Sequence, residues 1–581
     1  IRKIFLLILI FTKLNMNINL EVANGESFDA IVVGTGMSGG WAAKELTEKG
    51  LKTLVLERGR DVKHVKDYPT MNKNSWELPY RDQLTAKERK DYYVQIRTGY
   101  TVKQSTKHWW VKDTEQPYNE KKGNFDWIRG YHVGGRSLLW GRQVYRWSKI
   151  DFEANAKEGI SIDWPIRYKD IEKWYDYVEN FIGISGMKEG LSQLPDGKFL
   201  PPMEMNCVEK DFRNNLLNKF GRTYTIGRVA HTTIPHNGRG ACQGRNLCIR
   251  GCPYGAYYSS NSSTLPAAES TGNMKLRPNS IVHSIIYDDK KNKAVGVRVI
   301  DSETMEMKEF YSKIIFLNAS TVNSTLIMLN SKSKRFPNGF GNDSGELGHN
   351  LMDHHFKAGA RAKMDGYEDS YYYGNRPNAG YLARFRNLKN KEMNYLRGFG
   401  YQGGARRDGW FRAAEEGFTG QDLIDIAVKP GEWSMGLNAF GEILPYHDNK
   451  MYLDNNTLDK WGMPTVVFET EIKENEKKMR EDMKNSAAEM LEACGFKNVN
   501  PYDNFYSMGN GIHEMGTARM GNDPKTSILN KWNQVHSAKN VFVTDGSCMT
   551  SASCVNPSIT YMALTARAAN YAVSELNKRN L

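Results

Sequence analysis

Three cysteines in one glycine-rich segment have a spacing that points to chemistry. Cys242, Cys248 and Cys252 form a C-x5-C-x3-C-P array, and the whole chain contains seven cysteines. A disulfide framework is not expected in a chain of this length with an odd number of cysteines. Structural zinc takes four ligands, and the nearby His231 and His236 have a poor spacing for that role. Three thiolates followed by proline suit an iron–sulfur cluster, which with three ligands would be a [3Fe–4S] cluster, and the alternative is unligated thiols.

A second pattern is typical of a dinucleotide site. A short apolar segment leads into Gly34-x-Gly36-x-x-Gly39, a helical pattern follows, and a second apolar segment ends at Glu57. The pattern predicts a strand, a tight turn, a helix and a strand, with backbone N–H groups free to approach a pyrophosphate. Glu57, with Arg58 beside it, lies where a ribose of an adenosine would be bound. The segment therefore predicts an ADP-containing dinucleotide, but by itself it does not separate NAD from FAD.

A further glycine cluster identifies the family that the sequence resembles. The segment from Gly130 carries Gly134, Gly135 and Ser137 in the pattern G-x3-G-G-x-S, followed by an aromatic residue and an arginine. This pattern resembles the flavin-contacting segment of the glucose-methanol-choline (GMC) oxidoreductases, which implies FAD as the cofactor. Some members attach FAD covalently through a histidine a few residues after the serine. This chain has leucines and a tryptophan there, so we expect FAD to be bound non-covalently.

The same resemblance implies roles for residues far along the chain. It places the backbone of Val282 at the adenine, and Asp545 and Gly546 near the pyrophosphate and ribityl chain. The catalytic pair of the family is a histidine followed some forty residues later by a histidine or an asparagine. That pair corresponds to His513, within H-E-M-G-T-A-R-M-G, and Asn556, within N-P.

The last segment is predicted to be a helix, and the resemblance implies that its start faces the flavin. Asn556 is a favourable N-cap residue, and Pro557 suits the first position of a helix. A helix N-terminus at this point would stabilise negative charge on a reduced flavin ring. We therefore assign Asn556 and Pro557 to the cofactor site as well.

Composition and charge limit the class of protein. The chain has 581 residues, 40% of them hydrophobic and 25% charged, as in ordinary globular proteins of more than one domain. The net charge of +13 is interpreted first as a solvated basic surface, with an anionic substrate, an acidic redox partner or membrane headgroups as the alternative. Basic residues do not form a compact block with aromatic residues, so nucleic acid is not an expected partner. No segment approaches the ~18 to 20 apolar residues that would cross a bilayer, so no transmembrane segment is expected.

The N-terminal residues have two interpretations. Arg2 and Lys3 precede a short apolar segment, 4–11, as in a signal peptide, but no good cleavage site follows. Met16 is the expected true start, with residues 1–15 an upstream reading artefact. We expect a periplasmic protein, or one held at the membrane by a partner subunit, and a cytoplasmic protein if Met16 is the start and no partner exports it.

The predicted fold is α/β: a Rossmann-like FAD-binding domain with a discontinuous, mostly antiparallel-sheet substrate domain, as in the GMC fold. The polar sequence Asp353-His354-His355 is interpreted as a hydrogen-bonded turn at a domain junction rather than a ligand set. The expected division is 1–25 leader or mis-called start, 26–150 first FAD-binding segment with a lid-like stretch at 61–125, 151–239 first substrate-domain segment, 240–356 cysteine-rich loop and second FAD-binding segment, 357–506 second substrate-domain segment, and 507–581 C-terminal FAD-binding segment.

These features together predict an FAD-dependent dehydrogenase. It would oxidise a CH–OH group of a sugar, sugar acid, glycoside or polyol, with hydride passing to flavin N5 and electrons leaving through the iron–sulfur cluster. The expected partners are a small companion subunit and a cytochrome c or quinone acceptor. Two alternatives stay open: a GMC oxidase that uses oxygen, and a non-catalytic flavin electron-transfer subunit.

Overall fold

The structure is a computed structural model that describes residues 24–370, 376–409, 417–505 and 507–581. The predicted leader, residues 1–15, and Met16 lie outside these ranges. Within them, no helix combines the length and the apolar character needed to pass through a bilayer.

The strands of the described ranges belong to four sheets. In chain order they are β1 (Ser27–Val33), β2 (Thr53–Leu56), β3 (Asn119–Lys122), β4 (Ile184–Ser185), β5 (Phe199–Leu200), β6 (Tyr224–Ile226), β7 (Met274–Arg277), β8 (Ser280–Asp288), β9 (Lys293–Asp301), β10 (Met307–Leu317), β11 (His354–Met364), β12 (Gly380–Leu382), β13 (Phe399–Arg407), β14 (Trp433–Glu442), β15 (Lys450–Leu458), β16 (Pro464–Glu469), β17 (Lys497–Asp503), β18 (Gln534–Val535) and β19 (Ala538–Val543).

The helices lie between these strands along the chain. The α-helices are α1 (Met37–Glu48), α2 (Ala86–Asp91), α3 (Lys149–Glu158), α4 (Tyr168–Ile182), α5 (Cys207–Phe220), α6 (Thr264–Ser270), α7 (Thr321–Asn330), α8 (Gly420–Val428), α9 (Glu474–Ala493) and α10 (Ser558–Asn577). Short 3-10 helices span Ser75–Glu77, Pro79–Asp82, Gln95–Thr98, Lys107–Trp109, Gly135–Leu138, Cys248–Arg250, Ser260–Ser262 and Gly546–Cys548.

The largest sheet has eight strands and a parallel centre. β1 lies between β10 and β2 and is parallel to both, while β19 and β7 continue the parallel region on either side. β8 and β9 form an antiparallel pair that joins the first half of β10. α1 packs on β1 and β2, and α10 packs on α1 and α4. The β1–α1–β2 unit confirms the strand–turn–helix–strand order predicted around the first glycine motif.

Two glycines make this unit possible. Gly34 has a φ of +97° and lies against β10, so that a Cβ added there would be 2.4 Å from the carbonyl oxygen of Asn318. A Cβ added at Gly39 would be 2.0 Å from the carbonyl oxygen of Gly34, which places the first turn of α1 directly against the turn after β1. Glycine is therefore required at both positions, as the sequence predicted for close helix–strand packing.

The second sheet has six strands in the order β17–β11–β14–β13–β12–β6. Every neighbouring pair in it is antiparallel. α9 packs on β11, β14 and β17 and buries Met479, Met483 and Met490 in the core beneath the sheet. A parallel-centred sheet with an antiparallel second sheet confirms the predicted α/β fold class. The smaller sheets are β15–β16–β3 and β4–β5.

Candidate active site and cofactor cavity

One cavity brings together most of the residues that the sequence analysis selected. It offers about 330 Å³ of water-accessible space and extends from the turn after β1 to the loop that carries His513. The predicted residues that line it are Gly34, Gly36, Glu57, Arg58, Gly135, Ser137, Val282, His513, Asp545, Gly546 and Asn556. Gly39, Gly134 and Pro557 lie outside this lining. From the predicted lid-like stretch 61–125, Tyr100, Thr101 and Trp110 reach the cavity.

Glu57 lies at the predicted ribose end and is bound by the turn after β1. Its Oε2 accepts the backbone N–H of Thr35 at 3.2 Å and the Thr35 hydroxyl at 2.5 Å, and its Oε1 accepts the Gly59 N–H at 3.0 Å. Burial raises the pKa of Glu57, and these hydrogen bonds oppose the shift. Because a carboxylate oxygen accepts more than one hydrogen bond, the group can still bind a ribose hydroxyl on its cavity side.

The cavity wall fits a dinucleotide such as FAD. α1 begins without a side-chain cap or an acidic residue in its first turn, so its N–H groups are available to an anion. A Cβ added at Gly36 would meet no atom within 4 Å and would project into the cavity instead. Among the described residues, the Arg58 Nε, the Asn318 Oδ1 and the Tyr561 hydroxyl are buried in the lining without a hydrogen-bond partner. Such groups are normally satisfied, and the polar atoms of a bound dinucleotide would satisfy them.

His513 is fixed through its backbone against the start of β11. Its N–H donates to Asp353 Oδ1 at 3.0 Å, and the N–H of Gly511 donates to Asp353 Oδ2 at 3.0 Å. Met352 and Met515 exchange two backbone hydrogen bonds of 2.9 and 3.0 Å. Asp353 is thus hydrogen-bonded, but His354 and His355 begin strand β11 rather than forming the predicted turn. The Asp353 contacts also position the predicted catalytic histidine.

The hydrogen-bond network assigns the tautomer of His513. The His354 Nε2 lies 3.1 Å from the carbonyl oxygen of Ala552, which can only accept, so this nitrogen carries a hydrogen. Burial lowers the pKa of His354 to about 4, so its ring is neutral and its Nδ1 is an acceptor. The Nδ1 atoms of His354 and His513 are 2.9 Å apart, which requires His513 to donate from Nδ1. A neutral His513 therefore carries its lone pair on Nε2, at the cavity.

Asn556 completes the pair from the other side. Its Oδ1 accepts from Gln402 Nε2 at 2.6 Å, so the amide nitrogen must face His513. The distance from Asn556 Nδ2 to His513 Nε2 is 3.4 Å, which is long for a hydrogen bond. An alcohol hydroxyl could accept from the Asn556 amide and donate to His513 Nε2 at the same time. A neutral imidazole in this arrangement is suited to act as a general base.

Burial, together with the neighbouring side chains, keeps the imidazole neutral. Burial, His354 and Arg136 lower the pKa of His513 well below its usual range. Arg136 is bound by the buried Glu514 at 2.8 and 3.2 Å and lines the same cavity. Burial and the nearby Glu514 raise the pKa of Asp353 to about 7, although three backbone N–H groups act in the opposite direction. The site thus places a neutral base beside a carboxylate-bound arginine.

The predicted helix cap at Asn556 is wrong. α10 begins at Ser558, Pro557 occupies the cap position, and no side chain caps the helix. The Asn556 amide is unavailable as a cap because Gln402 and His513 hold it. The start of α10 does reach the cavity, through Ser558 and Tyr561.

The three cysteines lie in one partly exposed loop but do not form a metal site in the described ranges. Cys242, Cys248 and Cys252 are free thiols of intermediate exposure. Among the described residues, no group of three or more His, Cys, Asp or Glu side chains is arranged around a possible metal position. Burial and the two neighbouring cysteines raise the pKa of Cys242, while Arg142 lowers it. Arg142, which acts on Cys242, also lines the cavity.

His132, which precedes the second glycine cluster, does not line the cavity. Its Nδ1 lies 3.1 Å from the carbonyl oxygen of Val133, and its ring packs against Trp109 with centroids 5.1 Å apart. Among the described lining residues, the histidine that reaches the cavity is His513.

Sequence reasoning missed three residues of the site. His354 was noted only as a member of a junction, although two adjacent histidines after an aspartate were a visible pattern. Gln402, on β13, and Asn378, two residues before β12, line the cavity and had no motif to mark them. Their position follows from the pairing of β12, β13 and β14, which a sequence pattern does not specify.

Comparison with known proteins assigns the family. The N-terminal family model described as GMC oxidoreductase matches residues 28–356, and its C-terminal counterpart matches residues 445–565. The chain is 27% identical to a 2-methyl-1,2-propanediol dehydrogenase of Mycolicibacterium austroafricanum, with 94% of this chain and 95% of that protein covered. It is 24% identical to the fructose dehydrogenase large subunit of Gluconobacter japonicus, with 95% of this chain and 99% of that protein covered.

The fold is also that of a solved enzyme. A formate oxidase structure from Aspergillus oryzae RIB40 superposes with a TM-score of 0.60 at 14% sequence identity, covering 96% of this chain and all of that one. Together with the cavity and the matched family models, these similarities lead to one assignment. The chain belongs to the GMC oxidoreductase family and is an FAD enzyme acting on CH–OH donors.

Proposed function

We propose that this protein is an FAD-dependent dehydrogenase that oxidises a CH–OH group of a sugar, sugar acid, glycoside or polyol. The observation that carries the proposal is the pair His513 and Asn556 at the cavity, with a bare Nε2 lone pair beside an amide donor. Bound FAD would supply the hydride acceptor. The protein would orient the carbinol carbon and remove its hydroxyl proton.

The proton step follows from the tautomer of His513. The substrate hydroxyl takes the place of the long contact between Asn556 and His513, accepting one amide N–H and donating to Nε2. The proton moves to Nε2 as hydride leaves the carbon, and the imidazolium that forms remains hydrogen-bonded to His354 through Nδ1. Gln402 holds the Asn556 amide in the orientation that this geometry needs.

We further propose that the electrons leave to an external acceptor other than oxygen. Three thiols in a single loop, next to the cavity residue Arg142, support an iron–sulfur cluster as the next carrier. A cluster would accept one electron at a time. In the described arrangement the thiols do not yet surround a common centre, so cluster binding would have to bring them together.

The proposed partners and location follow from the same architecture. A relative that matches along nearly its whole length is named as a large subunit, which favours a small companion subunit here also. A cytochrome c or a quinone would be the final acceptor. We propose a periplasmic protein or one held at the membrane by its partner, and a cytoplasmic one if Met16 is the start and no partner exports it.

An oxidase is the second candidate function. A protein of the same fold is a formate oxidase, and a flavin that reacts with oxygen would make the cysteine loop unnecessary. A non-catalytic flavin electron-transfer subunit is less well supported, because His513 and Asn556 are arranged as a base and an orienting amide.

The acceptor decides between dehydrogenase and oxidase. With a panel of sugars and polyols, turnover with a redox dye or a quinone should greatly exceed peroxide formation in air. Comparable rates with the dye and with oxygen would support the oxidase instead. Failure of every alcohol to bleach the flavin under anaerobic conditions would reject catalysis.

Flavin attachment can be tested by acid precipitation. FAD should be released into the supernatant, because the positions after Ser137 lack histidine and His132 does not line the cavity. Flavin absorbance that stays with the precipitated chain would contradict non-covalent binding.

Replacement of the base tests the catalytic pair. His513→Ala should slow anaerobic flavin reduction by roughly 10²- to 10⁴-fold, the usual contribution of a general base. In the parent, His513 stays neutral from alkaline pH to well below pH 6.5 because its pKa is lowered, so the rate should not fall in that range through its protonation. The defect of the variant should shrink at high pH, where the substrate loses its proton more easily. Stopped-flow absorbance measures the rate.

The matched control is His447→Ala, which removes an exposed histidine outside the cavity. It should reduce its flavin at the parental rate. Parental kinetics in His513→Ala with FAD in place would show that His513 is not the base.

Replacement of one cysteine tests the proposed cluster. Protein purified without oxygen should contain about three irons per FAD. Cys248→Ser should lose iron and electron delivery to the natural acceptor, while substrate still bleaches the flavin. Cys207→Ser, on α5 and outside the loop, should keep both. An iron-free parent that still reduces its acceptor would contradict the cluster.

A further inference from the structure

The second sheet presents unused hydrogen-bonding groups to the reacting end of the cavity. Gln402 donates one amide hydrogen to Asn556, and the described residues give no partner to its other amide hydrogen or to its Oε1. Gln402 lines the cavity, so these groups face the space beside the catalytic pair. A residue that only oriented Asn556 would not need them.

Asn378 offers a second group of the same kind. It lines the cavity, and its Nδ2 is buried without a hydrogen-bond partner among the described residues. Its backbone is fixed because its carbonyl oxygen accepts from Arg376 Nε at 2.6 Å, and Arg376 is paired with the buried Glu209. A buried donor without a partner costs free energy, so a ligand hydroxyl at this point would stabilise the site.

An aromatic pair lies beside these amides. Phe356 and Phe440 stack with ring centroids 5.3 Å apart and an interplanar angle of 17°, and both line the cavity. Phe440 lies opposite Gly400 on β13, two residues before Gln402, so Phe440 and Gln402 share one face of the sheet. Amide groups next to a half-buried aromatic surface suit a molecule that has hydroxyls on a hydrocarbon skeleton.

The hydrogen-bond distances around Asn556 show how far Gln402 lies from the position proposed for the carbinol hydroxyl. The reacting hydroxyl is placed between Asn556 Nδ2 and His513 Nε2, and Gln402 Nε2 is 2.6 Å from the other end of the same Asn556 amide. Neighbouring hydroxyl oxygens of a diol in its gauche form lie about one O–H···O length apart, roughly 2.8 Å. A hydroxyl on the carbon next to the carbinol therefore falls within reach of Gln402.

We propose that Gln402 and Asn378 determine specificity, Gln402 by binding a hydroxyl next to the carbinol that is oxidised and Asn378 by binding a further hydroxyl of a longer polyol. The preferred substrates are then vicinal diols and longer polyols, including sugars, rather than isolated alcohols. This inference rests on the proposed function. It assigns Gln402 two roles, since it orients Asn556 for every substrate and binds the second hydroxyl of a diol.

The two roles of Gln402 can be separated with a diol and a simple alcohol that have the same carbon skeleton. Flavin reduction is measured without oxygen by stopped-flow absorbance, using 1,2-propanediol and 1-propanol with the parent, Gln402→Leu and Asn378→Ala. Loss of the Asn556 contact should slow both alcohols in Gln402→Leu. Loss of the second hydroxyl contact should slow only the diol, so the diol preference should fall by roughly 10-fold, the equivalent of one good hydrogen bond.

Longer polyols extend the test to Asn378. Asn378→Ala removes a donor with no protein partner among the described residues, so FAD content and thermal midpoint should stay parental while the preference for sorbitol over 1,2-propanediol falls. This variant also covers the case in which Gln402→Leu does not retain FAD. Asn438→Leu, opposite Gln402 on β14 but outside the cavity lining, is the control and should keep both preferences.

The possible results separate a failure of the specificity proposal from a failure of the proposed dehydrogenase function. If Gln402→Leu and Asn378→Ala both keep the parental substrate preferences and substrate still reduces the flavin, these residues do not determine specificity. The proposed dehydrogenase function would be unaffected by that result. A parent with equal rates for diol and alcohol would overturn the specificity proposal too. A parent whose flavin no alcohol or polyol reduces would reject the proposed function and this inference together.

Discussion

The direction of one hydrogen bond sets the chemistry of the whole site. The Ala552 carbonyl can only accept, so His354 must donate to it from Nε2. Every later bond in the chain then has a fixed direction, through the paired Nδ1 atoms to the bare Nε2 of His513. Reversing the first bond would protonate His513 on the nitrogen that faces the cavity, and that nitrogen could then not accept a proton. A backbone carbonyl thus determines which nitrogen of His513 has the lone pair.

That carbonyl is held in place by contacts between its loop and the end of a strand of the second sheet. The Ala552 N–H donates to Glu442 at the end of β14, and the other oxygen of Glu442 binds Arg397 Nε at 2.9 Å. Arg397 also binds Glu158 on α3. This buried network is satisfied on every side, as a low-dielectric interior requires. The hydrogen-bond chain to His513 and the end of β14 are therefore positioned by the same ion pairs.

Local sequence was sufficient to predict the structure of the dinucleotide-binding unit. The turn after β1 and the approach of α1 depend on single residues, Gly34 and Gly39, whose lack of a side chain is required where they stand. β2 and its terminal Glu57 follow within the same unit. Such features are encoded in about thirty neighbouring residues, so a motif can carry them. The resemblance to a family then extended the prediction to His513 and Asn556.

The partners of that pair could not be predicted in the same way. His354 and His513 are 159 residues apart, and Gln402 and Asn556 are 154 apart. Their contacts depend on strand register and on the tautomer and amide orientation that the complete network imposes. Asn556 illustrates the limit, since its sequence neighbours favour a helix cap, and the tertiary contacts with Gln402 and His513 prevail.

The cysteine loop is positioned by the segment at the end of the second glycine cluster, which contacts the cavity on one side and the loop region on the other. Residues 135–137 and 139–142 line the cavity on one side. On the other side the Tyr257 hydroxyl donates to the Leu138 carbonyl at 2.9 Å, and Arg142 Nε donates to His231 Nε2 at 3.1 Å. The loop is joined to this layer because the Cys242 N–H donates to the Thr232 carbonyl, next in sequence to His231. The loop that carries the thiols is therefore attached to the back of this segment of the cavity wall.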